Sequence, residues 1–288
     1  MKNRQQNQAK KFFELDAKNW SVKAQFKKNK ILNTILERNL FVLKIIKKHK
    51  LKYHLDVGCG SGDLSYASSK IVNRSTGIDF AKNMIVIAKK KFKRKNLEFL
   101  NKSVFDYHSN INFDCISANG FIEYLSLIQI SKLLNFSYKN LVKNGFVIMG
   151  SRNRLFNLFS LNEFSKKEIR SNVFAELYTE SINLNTLKFK DFLKQKKLKF
   201  EEASFKQPKT GINVDKRHQF TPSQLIDILE RNKFKVIEIS PINYHPTTPK
   251  IYSSNVNYHK FSNYVTLDKN KLSLIPFSSS FMIAAKKT

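Results

Sequence analysis

Residues 55–62 read Leu-Asp-Val-Gly-Cys-Gly-Ser-Gly, and this stretch decides the fold. Its apolar start is typical of the end of a buried strand. Gly58, Gly60 and Gly62 then let the backbone turn sharply and approach a ligand closely, because glycine has no side chain to obstruct either. Apolar residues at helical spacing follow from residue 64 to residue 71. A strand, a glycine turn and a helix N-terminus in this order predict a nucleotide-cofactor site.

Further strand signals follow the glycine loop in an alternating strand–helix pattern. They lie at residues 77–79, 97–100, 113–119 and 145–149. Such alternation predicts a parallel sheet with helices on both faces. The glycine spacing is Gly-x-Gly-x-Gly, which differs from the Gly-x-Gly-x-x-Gly of dinucleotide-binding loops. With these elements around it, the octet resembles the first motif of class I S-adenosylmethionine-dependent methyltransferases.

The resemblance covers about residues 53–150. It implies a Rossmann-like α/β fold, with a seven-stranded, mostly parallel sheet, helices on both faces and an antiparallel C-terminal strand. It also implies S-adenosylmethionine (SAM) as the cofactor and methyl transfer as the activity. The acceptor of the methyl group is not indicated by the resemblance.

Two carboxylates are candidates for contacts to the nucleoside part of the cofactor. Asp79 ends the second predicted strand, where it can accept hydrogen bonds from ribose hydroxyls; the alternative is an N-cap, although a cap more often lies directly at the helix start. Asp106 matches the family position that receives the adenine amino group, and the alternative is a surface turn. The predicted cofactor-binding residues are Asp56, Gly58, Cys59, Gly60, Gly62, Asp79, Phe80, Met84, Val104, Phe105, Asp106 and Asn119.

The rest of the chain divides around this core. We predict an N-terminal helical segment at 1–52, the SAM-binding core at 53–150, a basic helical cap at 151–220 and the remainder of the core sheet at 221–288. In family members the leading helices often close over the cofactor, so that Trp20 and Arg38 could contribute; ordinary packing and a surface position are the alternatives.

The C-terminal part contains two more strand signals. Residues 233–240 predict the sixth strand and residues 281–285 the last one. Between them, residues 241–280 are interpreted as an irregular loop near the rim of the active site.

The acceptor side is predicted from residue chemistry and from motifs that the chain lacks. Residues 119–122 read Asn-Gly-Phe-Ile, without the prolines of the enzymes that methylate planar amino nitrogens, and the Pro-Cys nucleophile of cytosine C5 enzymes is also missing. The sequence therefore favours a small, anionic acceptor methylated at a hydroxyl oxygen, such as a sugar, a glycan precursor or a carboxylated metabolite. The candidate substrate-binding residues are Tyr124, Arg152, Arg154 and Arg217.

A hydroxyl nucleophile usually needs a base within hydrogen-bond reach. His218 is the first candidate because histidine has a suitable pKa and because the residue precedes a helix capped by Thr221 and started by Pro222. His245 is the second candidate. A structural role is the alternative for each histidine.

The net charge of +30, from 52 Lys and Arg against 22 Asp and Glu, is extreme. It predicts attraction to an anionic partner, but the abundance of Lys, Asn, Ile and Phe also fits an AT-rich genome. Methylation of RNA or of a carrier protein is therefore one alternative function, with nucleic acid possible but not favoured because no RNA-binding module is recognisable. A catalytically inactive binding protein is another, against which the intact glycine loop argues.

The remaining features of the composition indicate which cellular compartment and which metals to expect. No apolar run approaches the length of about 18 residues that suggests a transmembrane helix, and no apolar signal core follows the N-terminus. The two cysteines suggest no disulfide, which fits a reducing compartment, so that we expect a cytoplasmic location. Metal-binding spacings of Cys and His are absent, and no metal is expected.

Overall fold

The structure is a computed structural model that describes residues 4–25, 33–199, 217–253, 255–268 and 271–288. Its strands are β1 (Tyr53–Val57), β2 (Arg74–Asp79), β3 (Leu97–Asn101), β4 (Phe113–Asn119), β5 (Leu141–Arg152), β6 (Phe234–Tyr244) and β7 (Ser278–Lys287). Its helices are α1 (Arg4–Ala24), α2 (Thr34–Lys48), α3 (Asp63–Ser69), α4 (Lys82–Lys91), α5 (Leu127–Asn140), α6 (Phe156–Phe159), α7 (Glu163–Ile169), α8 (Phe174–Thr186), α9 (Phe189–Lys194), α10 (Pro222–Arg231), α11 (Pro249–Tyr252) and α12 (Val256–Asp268).

Seven strands of the described residues form one sheet in the order β3-β2-β1-β4-β5-β7-β6. Strands β1 to β5 pair in parallel. The last strand, β7, lies between β5 and β6 and is antiparallel to both. The predicted Rossmann-like fold is thereby confirmed, including its antiparallel C-terminal strand.

Apolar side chains cover both faces of the sheet. The larger cluster contains residues of β1, β4 and β5 together with Leu133 and Leu134 of α5 and Leu225 of α10. On the other face, Val42 and Ile45 of α2 pack in a second cluster with side chains of β5 and β7. Burial on both faces explains why the central strands read as continuous apolar runs rather than as alternating patterns.

Local signals fix the start of α10 as predicted. Thr221 caps α10, its side chain accepting a hydrogen bond from the Gln224 backbone, and Pro222 takes the first helical position. No helix among the described residues combines the length and apolar character needed to cross a membrane.

A buried polar network anchors the base of the glycine loop. Asp56 accepts hydrogen bonds from Ser65 of α3 at 2.7 Å and from Ser117 of β4 at 3.0 Å. His54 contacts Ser117 and Ser68 through its two ring nitrogens, at 2.9 and 2.8 Å. Burial raises the pKa of Asp56 to about 6 and lowers that of His54 to about 3. The network joins β1, β4 and α3, and the loop between β1 and α3 is held from below.

The interpretation of residues 241–280 as an irregular loop is wrong. Helices α11 and α12 occupy much of this segment. On α12 the buried residues include the small polar Ser262 and Thr266, whereas Phe261 and Tyr264 are exposed. Since the polar side chains face inward, the apolar periodicity that reveals a helix is missing from the sequence.

We expect Gly62→Ala to lower the free energy of unfolding by about 1–3 kcal/mol. Gly62 has a φ of 80°, and a Cβ there would lie 2.6 Å from the ring of Phe99. Urea denaturation checks the prediction, with the exposed Lys90→Ala as the control that should change stability by less than about 0.5 kcal/mol. Equal midpoints for the two variants would contradict it.

Candidate active site

A cavity lies at the carboxyl ends of β1, β2 and β4, beneath α1. Ligand sites of parallel α/β sheets form at this edge, where the strand order reverses. The predicted cofactor-binding residues that line the cavity are Gly58, Gly60, Asp79, Phe80, Met84, Val104, Phe105 and Asn119.

The glycine loop presents backbone rather than side chains to the cavity. Gly58 and Gly60 have φ values of 69° and 53°, a region that glycine adopts without strain. A Cβ on Gly58 would lie 3.0 Å from the ring of Phe121, and one on Gly60 would lie 3.3 Å from Trp20 Nε1. Side chains at these positions would fill the space that a ligand needs.

Asp79 ends β2 with its carboxylate buried against the loop. Its oxygens accept hydrogen bonds from the backbone of Gly60 at 2.9 Å and of Ala81 at 2.8 Å. Burial raises the pKa of Asp79 to about 6. Each carboxylate oxygen can accept a second hydrogen bond, so the group retains capacity for ribose hydroxyls.

The first backbone N–H groups of α4 are capped by a residue other than Asp79. Glu14 of α1 accepts from the backbone of Lys82 at 2.6 Å and of Asn83 at 2.8 Å. A carboxylate at a helix N-terminus is favoured by the helix dipole. Because Glu14 supplies the cap, Asp79 is left to face the cavity, and α1 is fixed above it.

Helix α1 covers the cavity with aromatic side chains. Phe13 packs edge-to-face against Trp20 at 5.3 Å and against Tyr124 at 5.6 Å between ring centroids. All three of these residues line the cavity, as does Arg38 of α2. The leading helices therefore stand where the sequence suggested that Trp20 and Arg38 could contribute.

Asn119 provides a buried polar atom that lacks a partner within the described residues. Its Nδ2 donates to Asn39 Oδ1 at 3.2 Å, while its Oδ1 accepts no hydrogen bond there. A buried acceptor left unsatisfied is costly. A ligand N–H or O–H group beside Asn119 would satisfy it, and SAM carries such groups; together with the glycine cradle, this atom fits that cofactor.

Four of the predicted cofactor residues lie outside the described lining. Asp56 belongs to the network below the loop, and Cys59 packs with Phe99, where burial raises the pKa of its thiol. Gly62 starts α3 in the left-handed conformation. Asp106 is exposed, although Val104 and Phe105 beside it line the cavity. The first three shape the loop, while Asp106 faces solvent.

Glu123, which the sequence did not single out, is fully buried just after β4. Its Oε1 accepts from Arg38 at 3.1 Å and from the Arg152 backbone at 2.9 Å, and its Oε2 accepts from Arg217 Nε at 2.5 Å. Burial by itself would raise the pKa of Glu123, but the guanidinium groups of Arg217, Arg38 and Arg152 hold it below its usual range. The sequence offered one signal for this site: Glu123 is a charged residue in the otherwise uncharged segment 120–125, shortly after the predicted fourth strand.

Two glycines make room for the Arg38 side chain in this cluster. A Cβ on Gly120, whose φ is 61°, would collide with Arg38 Nη1, and one on Gly150 would lie 3.5 Å from Arg38 Nε. Arg38 also donates to Ser280 of β7 through Nε at 3.0 Å. The side chain thus passes over the ends of β4 and β5 to reach Glu123.

The predicted substrate-binding residues separate into two groups. Tyr124 and Arg217 line the cavity, and the Arg217 guanidinium lies 5.6 Å from the centroid of the Tyr124 ring. Arg152 and Arg154 lie outside the described lining. The guanidinium of Arg152 lies 5.2 Å from the Phe164 ring, and Arg154 pairs with Glu168 at 2.8 Å.

Neither predicted catalytic histidine lies among the described lining residues. His218 is buried, and its backbone N–H donates to the Glu123 carbonyl at 2.8 Å. His245 packs against Tyr252 at 4.1 Å and Phe156 at 4.6 Å between centroids, and burial lowers its pKa to about 4.

Comparisons with known proteins find methyltransferases that are similar to this chain. Residues 55–145 match the family model described as a methyltransferase domain. The chain is 30% identical over 119 residues to malonyl-[acyl-carrier protein] O-methyltransferase of Acetivibrio thermocellus, covering 40% of this chain and 39% of that protein. It is 32% identical over 140 residues to release factor glutamine methyltransferase of Buchnera aphidicola subsp. Baizongia pistaciae, covering 48% of each. The matched segments thus span less than half of each curated relative.

Among solved structures, magnesium protoporphyrin IX methyltransferase of Synechocystis PCC 6803 with bound S-adenosyl-L-homocysteine (SAH) superposes on this chain with a TM-score of 0.54. It is 10% identical, and the match covers 96% of each chain. At this identity the likeness shows the fold.

We expect Asp79→Asn to weaken SAM binding by about tenfold or more, because a neutral amide replaces the carboxylate that would accept ribose hydroxyls. Isothermal titration calorimetry measures the affinity. Asp106→Asn is the matched control, since the Asp106 side chain faces solvent. Equal losses in both variants would contradict the assignment of Asp79.

The affinity for SAM should rise as the pH increases from 5 to 7, through the raised pKa of Asp79, about 6. Above that pKa the carboxylate is ionised and accepts hydrogen bonds more strongly. Titrations across this range should show the rise in the wild type and a weaker pH dependence in Asp79→Asn. A wild-type affinity independent of pH would count against a ligand contact by this group.

Proposed function

We propose that this chain is a class I SAM-dependent methyltransferase that transfers the methyl group of SAM to an oxygen atom of a small anionic acceptor. The match of residues 55–145 to a methyltransferase domain model supports the proposal. The observation that carries the proposal is one cavity lined both by groups suited to SAM and by arginines. The groups suited to SAM are the glycine loop, Asp79 and the buried oxygen of Asn119. The lining also contains Arg38, Tyr124 and Arg217, and the Arg217 guanidinium lies 5.6 Å from the centroid of the Tyr124 ring.

The residues of the chain supply binding and orientation. Backbone groups of the glycine loop, Asp79, Asn119, Val104 and Phe105 would hold SAM, which when bound supplies an activated methyl group on a sulfonium. Helix α1 covers the cavity on the side of the glycine loop, where Trp20 lies beside Gly60. Holding two reactants in attack geometry can lower the activation barrier by about 7–11 kcal/mol. Methyl transfer therefore requires little from the protein beyond such placement.

The anionic character of the acceptor is supported by the two arginines in the cavity wall. Arg38 is 8% exposed and Arg217 half-buried, and a guanidinium group in such a place favours a carboxylate or phosphate held by two hydrogen bonds. The hydroxyl oxygen favoured by the sequence would need a base. Neither His218 nor His245, the two histidines predicted for this role, is among the described lining residues.

An acceptor carried on a larger anionic partner is the second candidate. The net charge of +30 supports it, since long-range attraction raises the encounter rate with an acidic partner. One curated relative is named for a substrate on an acyl-carrier protein. The exposed basic residues Lys89, Lys90, Lys93, Arg94 and Lys95, at and after the end of α4, offer a surface for such a partner.

Gly60→Val should abolish SAM binding and methyl transfer, because the side chain would enter the cavity beside Trp20. Calorimetry and transfer of label from [methyl-³H]SAM measure the two properties. Gly60→Ala is the matched variant, since it shares the backbone strain at a φ of 53° but adds less volume and should retain more binding. A folded wild-type chain that binds no SAM would refute the proposed function.

A further inference from the structure

The two arginines of the cavity wall lie on the acceptor side of the sheet. Arg38 donates to Ser280 of β7, and Arg217 donates to Glu123, which follows β4. Asp79, at the other end of the cavity, ends β2, and β1 lies between β2 and β4. Adjacent strands are about 4.8 Å apart, so roughly 10 Å separates the end of β2, which carries Asp79, from the end of β4.

This side of the cavity has an excess of positive charge. Within the described part of the chain, the single carboxylate of Glu123 meets the guanidinium groups of Arg38, Arg152 and Arg217. Burial, followed by repulsion from Arg217, lowers the pKa of Arg152 to about 10. Buried charges are costly unless paired. An anionic ligand group beside Arg38 and Arg217 would balance the cluster.

Among the residues that the structure describes, this wall offers no base to a protonated nucleophile. The titratable side chains of the described lining are Arg38, Asp79, Lys102, Tyr124 and Arg217. Burial raises the pKa of Tyr124 to about 12, so that its phenol keeps its proton at neutral pH. Asp79 stands at the far end. An alcohol or an ammonium group would have to lose a proton to attack, and the arginines do not accept one.

We propose that the nucleophile is an ionised carboxylate oxygen of the acceptor, bound by Arg217 and Arg38, and that the product is a methyl ester. This inference rests on the proposed methyl transfer and names its acceptor group. A carboxylic acid with a pKa of about 4 is already deprotonated at neutral pH, and neighbouring guanidinium groups keep it so.

The reaction then balances without any proton transfer. A lone pair on the carboxylate oxygen forms the new C–O bond to the methyl carbon while the C–S bond breaks, and the electron pair of that bond passes to sulfur. One negative and one positive charge disappear together. The ester is neutral and loses its ion pair with the arginines, so that the site binds the acid more tightly than the product.

The decisive experiment uses the full wild-type chain, [methyl-³H]SAM and the small-molecule fraction of the organism that encodes it. Methyl esters release labelled methanol in alkali, whereas methyl ethers and methylamines do not. We expect the transferred label to become volatile after alkaline treatment. Transferred label that stays non-volatile overturns the ester. A chain that binds SAM by calorimetry but transfers no label instead contradicts the proposed methyl transfer.

Variants at Arg217 test the site of recognition. Arg217→Ala should raise the KM for the labelled acid about tenfold or more, since a charge-assisted hydrogen bond is lost, while the affinity for SAM changes little. Arg217→Lys keeps the charge and should recover part of the loss. Arg74→Ala, at an exposed position at the amino end of β2, serves as the matched control.

A parallel loss of SAM affinity in Arg217→Ala would assign this arginine to the carboxylate of the cofactor and overturn the acceptor contact. If the alanine variant does not fold, Arg217→Lys and the alkali test on the wild type still decide the proposal.

Discussion

The ion pairing of the buried Glu123 carboxylate is the interaction on which the proposed acceptor side of the cavity depends. Glu123 receives hydrogen bonds from Arg38, from the Arg152 backbone and from Arg217, and its own carbonyl accepts from the His218 backbone. These partners belong to α2, to the end of β5 and to the segment before α10. An unpaired charge in such a place is strongly destabilising, so the pairing that compensates Glu123 also fixes where the arginines point.

The cofactor side is organised by a different kind of constraint. Asp56 is held below the glycine loop by Ser65 and Ser117, and Glu14 holds α1 above it by capping α4. The hydrogen bonds of Asp56 shape the floor of the cavity, and those of Glu14 position the helix that covers it. The loop between them presents backbone groups because glycine stands where a side chain would meet Phe121 or Trp20.

Much of this could be predicted from the chain, and the exceptions have physical causes. The glycine loop, Asp79 and the sheet follow from short-range patterns of turns and apolar residues. The helix α12 was missed because Ser262 and Thr266 are buried while Phe261 and Tyr264 are exposed, which reverses the usual amphipathic pattern. Of the two carboxylates proposed for the nucleoside, Asp79 faces the cavity and Asp106 faces solvent, a difference that depends on how the segment after β3 turns.

The sequence by itself determined the fold and the kind of cofactor site, because strand–helix alternation and glycine spacing are local properties of the backbone. Only the tertiary structure decided which charged side chains meet around Glu123, on the side proposed to bind the acceptor. Arg38, Glu123, Arg217 and Ser280 are far apart in the chain and come together through the packing of α2 and β7 against the ends of β4 and β5. No local pattern encodes such a meeting, since each arginine taken alone looks like one more basic residue in a strongly basic chain.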